Sequence, residues 1–274
     1  MSYALIDGDI VAFRAASSAE KNNSRIAVYR CGDMMERILR DTRSSHFNVY
    51  LSGDQPNFRH AIYPLYKANR LRRTRPQFLE DCREHLCLQW RAEIAEGVEA
   101  DDLLGIGSNQ TSPDLKPFIA TIDKDLQQVP GTHYNFVRNE WREISPVEAQ
   151  YNFWYHVMVG DSTDNVPGAR GVGEVKARRF LEGCETDLEM FEQARRVFGD
   201  DDFLKLNATL IWVMREEGVR WDARRYGLEA NGNNSGPPTN ATTETNGANK
   251  NEIAVVVSKS NLSDNSVVDV RTAE

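Results

Sequence analysis

The sequence predicts an α/β protein with a mostly parallel central sheet flanked by helices, followed by a largely helical region. Three observations carry that prediction. Three short, continuously apolar runs, YALI at 3–6, FNVYL at 47–51 and FIATI at 118–122, are separated by segments of helical period; strands buried on both faces read this way, and the helices between them make parallel crossovers. Each run closes on an acidic turn: Asp7-Gly8-Asp9, Ser52-Gly53-Asp54 and Asp123-Lys124-Asp125. Of 274 residues 40% are hydrophobic, with five Trp and eleven Phe, which suffices for a core in one large domain or two small ones.

Taken in order, YALI is a buried strand ending at Asp7, and IVAFRAASSAEK a helix with Ile10, Phe13 and Ser17 on one face. Residues 22–33 read as irregular, and MMERILRDTR as a helix with Met34, Ile38 and Leu39 on one side. After the second strand, Pro56 and Pro64 break the pattern until a helix from about Pro76 to Trp90. GVEADDLLGIG, 97–107, is helical with Glu99, Asp101 and Asp102 in its first turn, and it precedes the third strand. Past Pro130-Gly131, HYNFVRN and EWREIS form a hairpin at the sheet edge. Ser145-Pro146-Val147-Glu148 supplies an N-cap, Pro at N1 and Glu at N3; the aromatic stripe of QYNFWYHVMV that follows is read as core. Residues 178–227 are helical in pattern with Thr186 as a cap, and 230–274, rich in Asn, Gly, Thr and Ser, are expected to be disordered.

Ligands of open parallel sheets bind at the carboxyl ends of the strands, so Asp7, Asp54 and Asp123 are expected in one crevice. Glu99 and Asp102, three apart, share a helix face, and Asp123 and Asp125, two apart at a strand end, point the same way. One such aspartate is an ordinary cap or turn residue; three strand ends with Glu99-x-Asp101-Asp102 are poorly explained so. Carboxylates this close stay ionised only beside cations, which implies two or more divalent ions. Oxygen donors without His or Cys favour Mg²⁺, with Mn²⁺ able to substitute. In GDSTDNVPGARGVGEVKA, 160–177, Asp161 and Asp164 lie beside the turn Gly171-Val172-Gly173 and Lys176, a Gly-rich entry to a helix whose N–H groups suit phosphate.

The net charge of −8 argues against a generally basic nucleic-acid binder. Yet an acid-rich metal site lowers the average, and Lys67, Arg70, Arg72, Arg73 and Arg75 fall within nine residues with no acid among them. Interleaved with Tyr66 and Leu71, this run is read as a phosphate contact. No apolar run approaches the roughly 20 residues of a membrane helix, so no membrane association is expected. MSYALIDGD lacks a basic region before an apolar stretch, so no secretion signal is expected either. Four cysteines without a C-x-x-C pair are read as free thiols in a reducing compartment.

With LIDGD at 5–9, FRHAIYPLYKANR at 58–70, GVEADD at 97–102, TIDKDL at 121–126 and GDSTDNVPGARGVG at 160–173, the chain resembles the metal-dependent 5′-nuclease family. Phage 5′→3′ exonucleases, the 5′-nuclease domain of bacterial DNA polymerase I and flap endonucleases belong to it. The resemblance covers roughly residues 3–180 and is nearest to podovirus-type phage exonucleases. It implies a PIN-like nuclease domain over 1–144, and over 145–229 a helical region whose helix–three-turn–helix, Val166 to Lys176 with Gly171 and Gly173, grips duplex backbone around a K⁺ ion. It implies a first metal cluster of Asp7, Asp54, Glu99, Asp101 and Asp102 and a second of Asp123, Asp125, Asp161 and Asp164. Lys67 and Arg70 match the pair on the scissile phosphate, joined by Arg14; Tyr66 matches an aromatic on which a terminal base stacks. Asp9 departs from the family, where an uncharged polar residue is usual, and is read as a further ligand or a partner behind the ligands. The segment between Arg75 and Gly97 is short compared with the arch of larger members.

The implied activity is 5′→3′ exonucleolytic hydrolysis of duplex DNA with a free 5′ end, releasing 5′-phosphate products. It would serve phage DNA replication, primer removal or DNA degradation in the cytoplasm of a bacterial host. Flap cleavage by the same site, on flap or RNA-primed DNA, and a non-catalytic duplex-DNA-binding module are the alternatives. A toxin-type ribonuclease of related fold would lack the Gly160–Lys176 clamp.

Overall fold

In the computed structural model, which describes residues 2–72, 74–110 and 115–229 and only the backbone at 71 and 72, the first apolar run is strand β1 (Ser2–Asp7), set inside the sheet. Helices α1 (Gly8–Ser18) and α2 (Ser24–Thr42) cross to β2 (His46–Ser52), parallel to β1. A short helix α3 (Phe58–Ile62), a 3-10 turn at Ala68–Arg72 and α4 (Leu79–Trp90) lead to β3 (Glu93–Ala95) beyond β2. Helix α5 (Ala100–Asn109) then returns the chain across the sheet to β4 (Lys116–Ala120), on the other side of β1. β5 (Gly131–Asn135) runs parallel to β4, and β6 (Glu140–Ile144) closes the edge as the antiparallel arm of the expected hairpin. The order among the described residues is β3-β2-β1-β4-β5-β6. The direction of winding reverses between β1 and β4, and that is where an open parallel sheet forms its ligand crevice.

The strand pleat sorts the core. Ala4 and Ile6 of β1, with Val49 and Leu51 of β2, face α1, α2 and α4, burying Ala12, Ala16, Met35, Ile38 and Leu86. Leu5, Tyr50 and Ile119 point to the opposite face, against Ala100 and Leu104 of α5. The remaining helices, α6 (Pro146–Val159), α7 (Glu174–Leu181), α8 (Asp187–Phe198) and α9 (Asp201–Ile211), surround Phe153, Trp154, Phe191, Trp212 and Trp221. The aromatic stripe of α6 is core, as expected: Trp154 is fully buried and its indole N–H donates to Asp187 Oδ1 (2.7 Å). Ser145 caps α6 through the Glu148 N–H (3.2 Å), and Thr186 caps α8 in a reciprocal box with Glu189.

Several expectations are corrected. Residues 24–33 are helical: α2 starts at Ser24 with Asn23 as its cap, and buries Ala27, Cys31, Met35 and Ile38 at spacings of four, four and three. Phe13 is 51% exposed, because the buried face of α1 is Val11, Ala12, Ala15 and Ala16. The strand β3 was not expected. The described residues fall in one compact unit; the tail at 230–274 lies outside them. No helix among the described residues is long and apolar enough to cross a membrane.

The stretch after α6 depends on two glycines. Gly160 (φ 74°) ends the helix, Asp161 and Val166 form a small antiparallel bridge, and Gly168 (φ 68°) passes back over the helix end. A Cβ on Gly168 would lie 2.4 Å from the Val159 carbonyl oxygen. Gly168→Ala therefore combines a left-handed backbone with a backbone collision, and urea unfolding is expected to show a loss of about 2–5 kcal/mol. At Gly171 (φ 72°) nothing lies within 4 Å of a built Cβ, so Gly171→Ala should cost only about 1–2 kcal/mol.

Candidate active site

At the switch point, Asp7 ends β1 and caps α1: its Oδ1 accepts from the Ile10 N–H (3.1 Å) and its Oδ2 from the Thr121 hydroxyl (2.7 Å). Thr121 Oγ1 in turn accepts the Asp123 N–H (2.9 Å), and Asp123 Oδ1 accepts the Asp125 N–H (2.9 Å). One threonine thus ties the ends of β1 and β4 together. Helix α5 brings Glu99 and Asp101 over the same place, and the loop after α6 brings Asp161 and Asp164; Glu99, Asp101, Asp125, Asp161 and Asp164 line one concavity.

The acids divide into two electrostatic groups. Burial, and beyond it Asp9 and Asp123, pushes the Asp7 carboxyl up to about 7 despite its hydrogen bonds to Thr121 and Ile10. Burial also raises Asp101, with Asp123, Asp7 and Glu99 adding to it, and Asp123, with Asp125, Asp164 and Asp161. Asp161 is raised by burial and by Asp164. Each of these four is raised by neighbouring acids as well as by burial, the mark of like charges held close together. Glu99 behaves oppositely. Burial would raise it, but Lys67 and Arg59 outweigh burial and hold it at about 2. Its oxygens take Lys67 Nζ, Asn57 Nδ2 (2.9 Å) and the Tyr66 hydroxyl (3.1 Å). Asp164 is bound by Arg70, by Lys67 Nζ at 3.5 Å and by the Tyr66 hydroxyl at 3.2 Å.

The basic segment is fastened to the acidic loop by main chain as well. Lys67, in a left-handed conformation (φ 57°), donates its N–H to the Asp164 carbonyl (2.8 Å); Asn165 Nδ2 donates to the Leu65 carbonyl (2.8 Å) and Asn69 to that of Ser162. Lys67 and Arg70 therefore stand beside Glu99 and Asp164 of the crevice.

Three expected site residues are placed elsewhere. Asp54 lies two residues beyond β2, on the side of β1 away from the switch point; it is 71% exposed, near Arg75 (3.9 Å). Asp102 is wholly buried beneath the site. It makes a two-pronged pair with Arg59 (2.7 and 2.9 Å) and accepts the N–H groups of Met214 (3.0 Å) and Glu99 (3.1 Å). With its oxygens so used, it is a strut of the fold. Tyr66 is 4% exposed with its hydroxyl on Glu99 and Asp164, so its ring offers no stacking face. Arg14 is exposed on α1; the side chain of Arg72, and Arg73 altogether, lie outside the described residues. Gly171 and Gly173 leave an open turn at the start of α7, which has no side-chain cap, and Lys176 Nζ folds back onto the Gly171 carbonyl (2.8 Å). Arg59, Asn57 and Thr121 are not singled out by the sequence; His156 Nδ1 is 3.1 Å from Asp125 Oδ1. Arg59 stands inside the quoted FRHAIYPLYKANR run, but nothing in its type distinguishes it from the other arginines of that stretch.

The donor set is oxygen-only, crowded and short of positive charge at Asp7, Asp101, Asp123 and Asp161, which fits hard divalent cations. Among the described residues no three His, Cys, Asp or Glu side chains already close into a coordination sphere; Lys67 and Arg70 occupy the Glu99 and Asp164 oxygens instead.

A family model, the 5′-3′ exonuclease N-terminal resolvase-like domain, matches residues 2–153. DNA polymerase I of Deinococcus radiodurans is 28% identical over 208 residues, covering 69% of this chain and 22% of that protein. DNA polymerase I of Pseudomonas aeruginosa is 30% identical over 176 residues, 58% of this chain and 19% of that protein. The chain thus spans a quarter or less of the length of these relatives. Among solved structures, the bacteriophage T5 5′-exonuclease with bound zinc has a TM-score of 0.62 at 16% identity, covering 77% of this chain and 89% of that one. A T5 flap endonuclease in a pseudo-enzyme–product complex with DNA and metal ions has a TM-score of 0.59 at 16% identity over the same shares.

Proposed function

The chain belongs to the 5′-3′ exonuclease family, and on that footing we propose that it hydrolyses phosphodiester bonds of duplex DNA from a free 5′ end, with divalent cations held in the acidic crevice. The observation that carries this reading is the convergence of Glu99, Asp101, Asp125, Asp161 and Asp164 on one concavity, with Asp7 and Asp123 tied to each other through Thr121 and Lys67 and Arg70 paired with Glu99 and Asp164. Asp7, Asp101, Asp123 and Asp161, with Asp125 and then Glu99 and Asp164, are the residues that would hold Mg²⁺, or Mn²⁺ in its place. When bound, such ions supply activation of water and neutralisation of charge on the phosphate.

The chain's own groups do the rest. Lys67 Nζ and Arg70 exchange Glu99 and Asp164 for the non-bridging oxygens of the scissile phosphate and stabilise the charge that builds on it. Their release from the two acids frees those oxygens as DNA arrives. Residues 145–229 form the part that grips duplex, and 1–144 the part that cuts. At the start of α7 the uncapped N–H groups and the open Gly171–Gly173 turn take backbone phosphate, with a K⁺ ion as the proposed bridge. Such contacts read no bases, so sequence preference is expected to be low and binding strongly weakened by salt.

Lys67→Ala is expected to lower kcat by about 10²–10³-fold, the usual loss for one group aimed at transition-state charge, with duplex affinity in EDTA little changed; single-turnover cleavage and filter binding separate the two. The function itself is tested by digesting a 5′-labelled duplex and a matched flap substrate with Mg²⁺ and with EDTA. Short products from the duplex 5′ end, absent in EDTA, support the proposal. Cutting confined to the flap junction would assign the site to flap cleavage, and no Mg²⁺-dependent cleavage of either would leave a duplex-binding module.

A further inference from the structure

Asp9 belongs to none of the groups described so far. It sits in the first turn of α1, two residues past Asp7, and its carboxylate is taken up by α4 and β2. Its Oδ1 accepts from Arg83 Nη1 (2.6 Å) and its Oδ2 from the Ser52 N–H (2.9 Å). Arg83 Nη2 donates to the Ser52 carbonyl (2.6 Å). Ser52 Oγ then accepts the N–H of Ala100 (3.1 Å), the first residue of α5. Ala100 is the first helical residue, whose N–H the N-cap side chain leaves free because it takes those of the next two positions; here a strand side chain takes it. The result is a chain of polar contacts from α4 through α1 and the end of β2 to the start of α5.

An exposed ion pair contributes little, but Arg83 is only 14% exposed. Its two guanidinium arms are divided between Asp9 and the Ser52 carbonyl, and Ser52 also donates its N–H to Asp9 and accepts the Ala100 N–H at its hydroxyl. The planar fork fixes direction as well as charge. What this contact chain joins is specific: α1 is capped by Asp7, and α5 carries Asp101 one residue after Ala100. Asp7 and Asp101 are among the like-charged acids that push each other apart. A brace behind them resists that spreading while no cation is between them.

We propose that Asp9 and Arg83 are a positioning pair that fixes Asp7 against Asp101, through Ser52 and Ala100, and so presets the spacing at which divalent ions are taken up. The inference rests on the metal-binding reading of the crevice. Neither residue touches the ions or the DNA, so loss of the pair weakens ion uptake without removing a ligand, and enough metal restores the site. Residues that hold metal ligands in place typically account for 10–100-fold in affinity or activity.

The test is Mn²⁺ binding followed by electron paramagnetic resonance on the full chain, wild type against Arg83→Met, Asp9→Asn and the double variant. Mn²⁺ affinity is expected to fall about tenfold in Arg83→Met, less in Asp9→Asn, whose amide keeps a hydrogen bond to Ser52, and no further in the double variant than in Arg83→Met. The Mn²⁺ concentration for half-maximal cleavage should rise with kcat at saturating Mn²⁺ retained, a split that a general loss of fold does not give. Wild-type Mn²⁺ affinity in folded Arg83→Met overturns the proposal. Where Arg83→Met does not fold, Asp9→Asn decides in the same way. If the wild type itself takes up no Mn²⁺, the metal reading fails and the positioning role with it; if it does and the variants match it, the positioning role alone fails.

Discussion

Replacing Arg59 with methionine is expected to cost about 3–5 kcal/mol of folding stability, the usual effect of leaving one member of a buried ion pair alone. Arg59 is 2% exposed and Asp102 fully buried. The guanidinium spends its donors on both Asp102 oxygens and on the carbonyls of Leu210 (3.0 Å) and Trp212 (2.6 Å). Asp102 also takes the Met214 N–H (3.0 Å), so the pair joins α3, α5 and the end of α9. Without Arg59, an ionised carboxylate and two carbonyls lose their partners in the interior. Against a typical total of about 5–15 kcal/mol, that is a large share. Urea unfolding measures it. The double replacement Arg59→Met/Asp102→Leu should recover part of the loss, because it removes the stranded charge. A loss below about 1 kcal/mol, the size of an exposed pair, would contradict this role.

Asp101→Asn is expected to have two opposite effects. Cleavage should fall by about 10³-fold or more, since a group holding a catalytic ion supports several kcal/mol of transition-state stabilisation. The metal-free protein, by contrast, should become more stable. Burial and then Asp123, Asp7 and Glu99 raise the Asp101 carboxyl, so its ionised form is a burden near neutral pH when no cation is present, and an amide is not. The same sign governs pH. A carboxyl raised in the folded state binds more protons there than in the unfolded chain, so its contribution falls as pH rises. For Asp7 the window runs from 3.8 to about 7. In EDTA, melting temperature should therefore decline across that interval, and Mg²⁺ should lessen the decline. A destabilised Asp101→Asn in EDTA would mean that Asp101 is satisfied by the protein alone.

Much of the site was legible because strand ends in a parallel sheet have a known use. Asp7 and Asp123 follow apolar runs, and both reach the crevice. Asp54 follows one equally well and does not, because the rule ignores strand order: the winding reverses between β1 and β4, while β2 lies across β1 from that point. Asp102 was misread by spacing. Glu99 precedes the first helical residue, and an acid three positions on turns back to the Glu99 N–H (3.1 Å) rather than standing beside its side chain. Tyr66 takes its expected stacking role from the match to the family's aromatic position, and no local pattern announces that its hydroxyl is needed by two acids from distant segments. Arg59, Thr121 and Arg83 find partners 43, 114 and 74 residues away, which only the folded chain brings together. The start of α2 escaped notice because Asn22, Asn23 and Ser24 look like loop, although Asn23 is the cap that starts the helix.

The central claim is that the crevice of Asp7, Asp101, Asp123 and Asp161 takes up divalent cations while Asp102 holds the fold. Calorimetric titration of Mg²⁺ into EDTA-stripped protein tests it most directly, with Asp123→Asn and Asp102→Asn alongside. The account predicts uptake of about two ions by the wild type, loss of uptake in Asp123→Asn, and retained uptake in Asp102→Asn at temperatures where that variant is folded. Heats no larger than buffer dilution in the wild type, or binding by Asp123→Asn equal to the wild type, would contradict it.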